Sequence, residues 1–276
     1  MNNLNSGTLP IPHTINNMNQ KLSNAIKVSA IIPTKNEEKN LQFVLPRIPD
    51  IVDEVIIVDG HSTDNTIEVA LELRPDAIIV QQTGKGKGNA LRCGFAQATG
   101  DIIVILDADG STDPEEIPAF VGTLLSGADF AKGSRFMQGG GTDDMEFYRY
   151  LGNLGFVLMS RLLFGGQYTD LCYGYNAFWS YTLPLLNLDG DGFEIETMMN
   201  VRALQAGLTV AEVPSFEHNR IHGTSNLQTF PDGWRVLKTM FKEWIKKPFL
   251  RSMKKANDSS ADASVSFQYT MTELLN

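Results

Sequence analysis

Short apolar runs alternate with mixed polar and apolar segments along the first half of the chain. The apolar runs predict buried β-strands at 28–33, 54–59, 77–81 and 101–106. The segments that follow them predict helices at 38–45, from just after Asp64 to about 73, at 87–98, and at 115–125. Strands that alternate with helices over short connections predict an α/β fold, a Rossmann-like and mostly parallel sheet flanked by helices in a single domain.

The second half of the chain is less regular than the first. Strands are expected at 129–134 and 208–213, helices at 148–164 and 194–206, and a glycine-rich loop at 138–144. Gly207 directly after the second helix is typical of a helix end. These elements complete one compact domain, which we expect to span residues 27–230.

Composition and net charge limit the classes of protein to which this chain can belong. Hydrophobic residues make up 42% of the 276 residues, as in globular proteins, and the net charge of -9 argues against a nucleic-acid partner. Two cysteines, Cys93 and Cys172, imply no disulfide framework and favour a cytoplasmic location. Polar composition predicts a disordered leader at 1–26 and a disordered tail at 257–276. No apolar run approaches the length of a membrane span.

The sequence Asp107-Ala108-Asp109 follows the apolar run 102–106 directly. The carboxyl ends of strands in open α/β sheets are where ligands bind, and two carboxylates there suit Mg²⁺ or Mn²⁺ that also holds a diphosphate. The alternative is a structural turn, because Asp109-Gly110-Ser111 is a common turn sequence.

Two other strand ends carry polar groups that suit a nucleotide. Asp59 follows the second strand, where a carboxylate can accept hydrogen bonds from a ribose or a base. We expect the nearby hydroxyls of Ser62 and Thr63 to cap the next helix. The loop 84–89, Gly-Lys-Gly-Lys-Gly-Asn, precedes a helix and suits a phosphate, although a flexible surface turn explains it equally well.

Four of these segments occur in the order found in family-2 glycosyltransferases with the GT-A fold: 33–37, 58–64, 86–90 and 107–109. Later segments resemble the branch that contains the dolichyl- and polyprenyl-phosphate mannose synthases: 133–136, 170–175, 192–196 and 212–214. The resemblance covers about 28–227. It implies inverting transfer of a hexose from a UDP- or GDP-linked donor, with Mg²⁺ or Mn²⁺, to an acceptor that is most simply polyprenyl phosphate.

The resemblance also implies roles for individual residues. The donor nucleotide would be held by Pro33, Thr34, Glu37, Asp59, Gly60, Ser62, Lys87, Gly88 and Ala108, and the metal and diphosphate by Asp107 and Asp109. Arg220 would meet the donor diphosphate, and Ser134 and Arg135 the acceptor phosphate. Two positions depart from the family pattern: Ser111 stands where Gln is frequent, and Asn226 where Lys is usual.

The acceptor decides whether the reaction needs a base. A lipid phosphate is already anionic, whereas a sugar or glycolipid hydroxyl would need a carboxylate such as Glu194 or Asp170, with Asp191 and Glu196 as further candidates. Glu194 and Glu196 lie at a predicted helix start, where acidic residues are also favoured for structural reasons. Arg135 could likewise form an ordinary salt bridge instead of contacting a phosphate. Two other functions stay open: a non-catalytic module that binds nucleotide sugars, and a nucleotidyltransferase that releases pyrophosphate.

The segment 231–256 is basic and amphipathic. Between 234 and 255, tryptophans and aliphatic residues recur among cations, a pattern typical of a helix on a membrane surface. The alternative is a helix that packs on the acidic domain. The apolar helix 148–164 would join it in a platform for a polyprenyl tail, so we expect a peripheral protein on the cytoplasmic face of a membrane.

Overall fold

The structure, a computed structural model, describes residues 26–223 and 229–246. The predicted leader up to residue 25 and the predicted tail 257–276 lie outside these residues. Asn226 and the last ten residues of the predicted basic segment, 247–256, lie outside them as well.

Strands and helices alternate through the first half of the chain, as predicted. The strands are β1 Val28–Thr34, β2 Glu54–Asp59, β3 Ile78–Gln81, β4 Ile102–Ile105, β5 Phe130–Ser134, β6 Gly141–Thr142, β7 Asn176–Trp179, β8 Val210–Pro214 and β9 Phe216–Glu217. The helices are α1 Glu38–Val44, α2 Thr66–Leu73, α3 Lys87–Phe95, α4 Ile117–Leu125, α5 Phe147–Phe164, α6 Leu183–Leu186, α7 Glu194–Ala206 and α8 229–246. Short 3-10 turns occupy Leu45–Arg47, Pro114–Glu116 and Ser180–Thr182.

Seven strands form the main sheet, in the order β3-β2-β1-β4-β7-β5-β8. All neighbouring pairs are parallel except those of β7, which runs antiparallel to both β4 and β5. The predicted mostly parallel sheet is therefore confirmed. The strand β7 was not predicted: it is four residues long and starts with the polar Asn176. The strands β6 and β9 form a separate parallel pair.

The central strands are apolar because both faces of the sheet are covered. Ile32 and Val104 point into a cluster with α1 and α4, whereas Ile31 and Ile103 point into a cluster with α3 and α7. Side chains alternate between the two faces along a strand, so a strand buried on both sides reads as a continuous apolar run. The parallel arrangement brings the carboxyl ends of β1, β2 and β4 to one edge of the sheet.

The helix α8 packs against the domain on one side. Its Val236 and Met240 lie in a third apolar cluster with Val157 of α5, and the buried Glu243 contacts Arg202 of α7, with Oε1 2.8 Å from Nη2. The described part of the basic segment therefore agrees with the alternative expectation, a helix on the acidic domain. Its opposite side keeps exposed aromatic residues, so the membrane interpretation remains a proposal for that side.

Candidate active site

A cavity of about 910 Å³ opens at the carboxyl ends of β1, β2 and β4. It continues between α5 and α8, so that one end is polar and the other is partly aromatic. The predicted site residues that line it are Pro33, Thr34, Glu37, Gly60, Lys87, Asp107, Ala108, Asp109, Arg135 and Arg220. Residues from six separate segments of the chain thus meet in one cleft.

Asp107 stands two residues beyond the end of β4 and is paired with a lysine. Lys87 Nζ lies 2.6 Å from Asp107 Oδ1 and 2.7 Å from Glu196 Oε1. Burial lowers the pKa of Lys87, but the carboxylates of Asp107 and Glu196 outweigh burial and raise it. Lys87 therefore stays protonated and joins the start of α3, the end of β4 and the start of α7.

Asp109 is held by an arginine in the same way. Arg220 Nη2 lies 2.5 Å from Asp109 Oδ2, and Arg220 Nη1 lies 3.2 Å from Glu37 Oε1. Asp109 Oδ1 also accepts hydrogen bonds from the backbone N–H and the hydroxyl of Ser111. Asp109 therefore belongs to the turn Asp109-Gly110-Ser111 and also lines the cavity. The pKa of Glu37 is raised, chiefly by burial.

The side chain of Asp59 does not reach the cavity. It is 2% exposed, and it accepts hydrogen bonds from the Ser62 backbone N–H at 3.2 Å and from Gln81 Nε2 at 3.1 Å. Ser62 does not cap α2, because its Oγ accepts from the Asn36 backbone N–H at 2.9 Å. The Thr63 hydroxyl donates to Asn36 Oδ1 at 3.4 Å, so the expected caps by Ser62 and Thr63 are both wrong. Asp64 instead accepts from the Thr66 N–H at 3.1 Å.

Two glycines at the start of α3, Gly86 before it and Gly88 in its first turn, face another loop. A Cβ on Gly88 would lie 2.4 Å from the carbonyl oxygen of Gly190, and one on Gly86, where φ is +89°, would lie 2.3 Å from that of Asp191. These glycines are therefore needed for close backbone packing against 190–192. Gly88 does not line the cavity, which corrects its expected contact with the nucleotide.

Arg135 was expected to contact the acceptor phosphate, but its guanidinium forms a buried ion pair. Arg135 Nε lies 2.6 Å from Asp170 Oδ2, Nη2 donates to Asp170 Oδ1 at 2.9 Å, and Nη1 donates to Glu217 Oε2 at 2.9 Å. Burial raises the pKa of Asp170, but Arg135 outweighs burial and lowers it. The neighbouring Ser134 hydroxyl is buried and pairs with Thr169 at 2.6 Å.

Neither of the two bases named first from the sequence is placed to act as one. Asp170 is 0% exposed and outside the cavity lining. Glu194 Oε1 accepts from the backbone N–H groups of Asp191 at 3.2 Å and Gly192 at 3.0 Å, a structural role at the start of α7. Both expectations are corrected. Glu196, two residues further along α7, is the carboxylate that lines the cavity.

Arg149 is a cavity residue that the sequence reasoning missed. It lies on α5 between exposed tyrosines, lines the cavity, and its Nη1 donates to the Asp144 carbonyl at 3.2 Å. One signal was available: Arg149 and Asn153 are four residues apart on a helix and share a face, and Phe156 follows at a spacing of seven. Both of those residues also line the cavity.

Comparison with known proteins gives a consistent result. Residues 29–179 match the family profile Glycosyl transferase family 2. Dolichol-phosphate mannosyltransferase from Pyrococcus furiosus is 34% identical over 212 residues, which cover 74% of this chain and 60% of that protein. Polyprenol monophosphomannose synthase from Mycolicibacterium smegmatis is 32% identical over 229 residues, which cover 78% of this chain and 85% of that protein.

A solved structure shares the fold. Glucosyl-3-phosphoglycerate synthase from Mycobacterium tuberculosis, crystallised with Mn²⁺, UDP and glucosyl-3-phosphoglycerate, superposes with a TM-score of 0.64 at 24% identity. The match covers 80% of this chain and 81% of that one. At this identity the likeness concerns the architecture, which is a GT-A-like single domain.

Proposed function

Since the chain belongs to glycosyl transferase family 2, we propose that it transfers a hexose from a nucleotide sugar to polyprenyl phosphate, with a divalent metal and with inversion at the anomeric carbon. One observation carries this proposal. Asp107 and Asp109 line a single cavity at the end of β4, each beside a cation that suits a diphosphate. The names of the relatives, which pair mannosyl transfer with polyprenyl phosphates, support the acceptor class.

The two aspartates fit a divalent metal as part of its ligand set. Carboxylate oxygens suit Mg²⁺ and Mn²⁺, and Mg²⁺ in particular usually takes further ligands from water or substrate phosphates. In the described residues, no three His, Cys, Asp or Glu side chains are grouped to hold a metal. The donor diphosphate would therefore complete the set. The bound metal would supply charge neutralisation for the departing nucleoside diphosphate.

Arg220 and Lys87 would assist the same departure. Bond cleavage at the anomeric carbon leaves negative charge on the diphosphate, and cations held in advance by the protein stabilise that charge without reorganisation. Glu37, Pro33 and Gly60 line the cavity and would contact the nucleoside. Asp59 would act there indirectly, because it fixes the turn that carries Gly60.

Arg149 is better placed than Arg135 to meet an acceptor phosphate. The guanidinium of Arg135 is buried and is bound by Asp170 and Glu217. Arg149 lines the cavity, and its Nη1 donates to the Asp144 carbonyl at 3.2 Å and lies 3.6 Å from Oδ2 of the exposed Asp144 carboxylate, a looser pair than that of Arg135. Arginine forks match phosphate oxygens. Arg149 also lies next to Tyr148, whose ring stacks with Phe230 of α8 at the aromatic end of the cavity.

The aromatic end of the cavity continues onto an exposed apolar surface. This platform consists of exposed side chains of α5 and α8, namely Phe147, Tyr148, Leu151, Leu154, Leu158, Leu162, Phe230, Trp234, Phe241, Trp244 and Ile245. Cations of α8 such as Lys238 and Lys242 accompany it. A platform of this composition suits the interface of an anionic membrane and a polyprenyl chain. Within the described residues, no helix is both long and apolar enough to cross a bilayer.

A hydroxyl acceptor is the second candidate, because Glu196 lines the cavity. A carboxylate there could accept a hydroxyl proton once Lys87 has moved to the donor. The two acceptors are distinguished by Glu196→Gln: a hydroxyl acceptor predicts a loss of turnover of about 100-fold or more, whereas a phosphate acceptor needs no base and predicts a mild effect.

A donor screen tests the proposed function. Purified protein is incubated with MnCl₂ or MgCl₂, a short polyprenyl phosphate, and UDP- or GDP-linked hexoses in turn, and released nucleoside diphosphate is measured. We expect release with at least one donor, and a loss of release in Asp107→Asn. No release in any combination would point to a non-catalytic binding protein, and pyrophosphate released from a nucleoside triphosphate would point to a nucleotidyltransferase.

A further inference from the structure

Lys87 occupies an enclosed position between two carboxylates. Its side chain is 12% exposed, and its Nζ contacts Asp107 and Glu196 at 2.6 and 2.7 Å. The backbone of Gly174 closes the space above it, because a Cβ on Gly174 would lie 2.9 Å from Nζ. The ammonium is therefore held at this point by packing as well as by charge.

Each of the two strand-end aspartates has its own cation. Lys87 neutralises Asp107, and Arg220 neutralises Asp109 while it also contacts Glu37. Four carboxylates and two cations give this cluster a formal charge of -2, which equals the charge that one divalent cation would neutralise. A metal that binds alone must compete with Lys87 for Asp107, at a cost in Coulomb energy.

We propose that Lys87 is an exchangeable counter-ion that couples metal binding to donor binding. In the unliganded site it neutralises Asp107, and in the loaded site it contacts the diphosphate while Asp107 turns to the metal. This inference rests on the proposed function and adds a regulatory property to the same site. Since each ligand then removes an obstacle for the other, metal and nucleoside diphosphate bind with positive coupling, which is reciprocal by thermodynamic necessity.

The proposal makes opposite predictions for the two ligands. Replacement of Lys87 by an uncharged residue frees Asp107, so Mn²⁺ alone should bind more tightly. The same replacement removes a contact to the diphosphate, so UDP or GDP in the presence of saturating Mn²⁺ should bind more weakly. A residue that served only to support the structure would weaken both.

The experiment is isothermal titration of wild type, Lys87→Met, Lys87→Arg and the control Lys85→Met, without any turnover. Lys85 lines the same cavity, and no ion pair of its side chain is found within the described residues. For Lys87→Met we expect Mn²⁺ alone to bind about tenfold more tightly and UDP or GDP with Mn²⁺ about tenfold more weakly, within the usual range of coupling factors. Lys85→Met should change Mn²⁺ binding less than about twofold, because the charge it removes is farther from the aspartates. Lys87→Arg keeps the positive charge beside Asp107 and should therefore bind Mn²⁺ alone less tightly than Lys87→Met.

Three results would overturn the proposal, and they are distinguishable. If Lys87→Met melts at the wild-type temperature and binds Mn²⁺ no more tightly, the exchange of Lys87 is wrong while the metal site stands. If wild type and all variants bind neither Mn²⁺ nor nucleotide in any combination, the proposed function fails together with it. Weaker binding of both ligands by a folded Lys87→Met also contradicts the exchange.

Discussion

Arg135 and Asp170 show at the scale of single residues how a buried charge pair shapes the site. Arg135 lines the cavity and Asp170 lies behind it, and Cys172, which also lines the cavity, donates its backbone N–H to Asp170 at 3.2 Å. A buried ion pair tolerates the loss of one partner poorly, because the remaining charge has no solvent to stabilise it. We infer that the pair contributes to function by holding the part of the cavity wall that carries Cys172 and Tyr173.

Asp170→Asn tests this structural role. We expect a loss of about 3–5 kcal/mol in the free energy of unfolding, because Arg135 would remain buried with fewer negative partners. Urea denaturation measures it. Asp76→Asn is the matched control, since Asp76 pairs with Arg74 at the surface with a distance of 3.3 Å, and it should cost less than about 1 kcal/mol. Equal effects of the two changes would contradict the role assigned to the buried pair.

Arg149→Met tests the assignment of the acceptor phosphate. We expect the KM for polyprenyl phosphate to rise about tenfold or more, because a charge-assisted hydrogen bond is lost, with little change in melting temperature. Arg161→Met on the same helix is the control, since Arg161 is exposed and is not among the residues that line the cavity. An unchanged KM in Arg149→Met would exclude Arg149 as the phosphate ligand.

At the residue scale, the sequence predicted which side chains lie near the site better than it predicted which residues those side chains contact. Asp107 and Asp109 could be predicted because an apolar strand delivers them to the sheet edge. The roles of Asp59, Ser62 and Glu194 could not, because their hydrogen bonds depend on turn geometry that spacing does not determine. The burial of Arg135 depends on Asp170 and Glu217, which are distant in the chain.

At the scale of elements, α8 has two faces with different roles. Met240 is 0% exposed in the cluster with α5, whereas Trp234 and Trp244 are exposed on the platform. Deletion of the whole segment from residue 234 would remove both faces together and would also remove Glu243, the partner of Arg202. Substitutions that affect one face at a time are therefore required.

The variant Trp234→Ser/Trp244→Ser tests the exposed face. We expect flotation with anionic liposomes to fall several-fold, because two interfacial anchors are lost, while the melting temperature stays near that of wild type. Met240→Ala is the matched change on the buried face: it should cost about 2–5 kcal/mol of stability and leave flotation of the folded protein unchanged. Undiminished flotation of the double variant would exclude this platform as the membrane contact.

Glu54 links β1, β2 and the turn before β4. It accepts hydrogen bonds from the Ser29 hydroxyl, from the Thr99 backbone N–H at 3.0 Å and from the Thr99 hydroxyl at 2.8 Å. Burial raises the pKa of Glu54, but these hydrogen bonds and Lys27 outweigh burial and lower it below its usual 4.5. Its contribution to stability is therefore present above about pH 4.5 and is lost as the pH falls through the lower folded-state value.

Glu54→Gln tests this linkage. We expect a loss of about 1–3 kcal/mol at pH 7, because donors that faced a carboxylate now face a neutral amide. The difference from wild type should shrink as the pH falls below about 4.5, since wild-type Glu54 then becomes protonated. Urea titrations at a series of pH values measure it. A difference that stays constant down to pH 3 would contradict the lowered pKa.

Among the elements, the sequence predicted those with strong patterns. The bounds of β2 and α7 match the predicted 54–59 and 194–206, because each has a clear start and end in the sequence. The strand β7 gave no such signal. Its place between β4 and β5, antiparallel to both, depends on pairing between segments far apart in the chain, which local periodicity does not encode.

At the scale of the whole molecule, the cavity joins two chemically different regions. The edge of the sheet provides carboxylates and cations, which would bind the proposed nucleotide donor. The surface between α5 and α8 provides aromatic and apolar side chains, which would contact the proposed lipid acceptor. A donor from water and an acceptor from a membrane could then meet at Asp107 and Arg149. The order of the strand-end motifs predicted the first region. The second region could not be predicted in this way, because it depends on the packing of α8 against α5.

The most direct test of this account is the transfer of radiolabelled hexose from its nucleotide donor into a lipid extract that contains a short polyprenyl phosphate and Mn²⁺. We predict that label enters the lipid as an acid-labile sugar phosphate with the wild-type protein, and that Asp107→Asn and Asp109→Asn, each still folded, reduce the rate at least about 100-fold. Label that enters the lipid equally well with both variants would contradict the claim that the two strand-end aspartates hold the donor diphosphate through a metal.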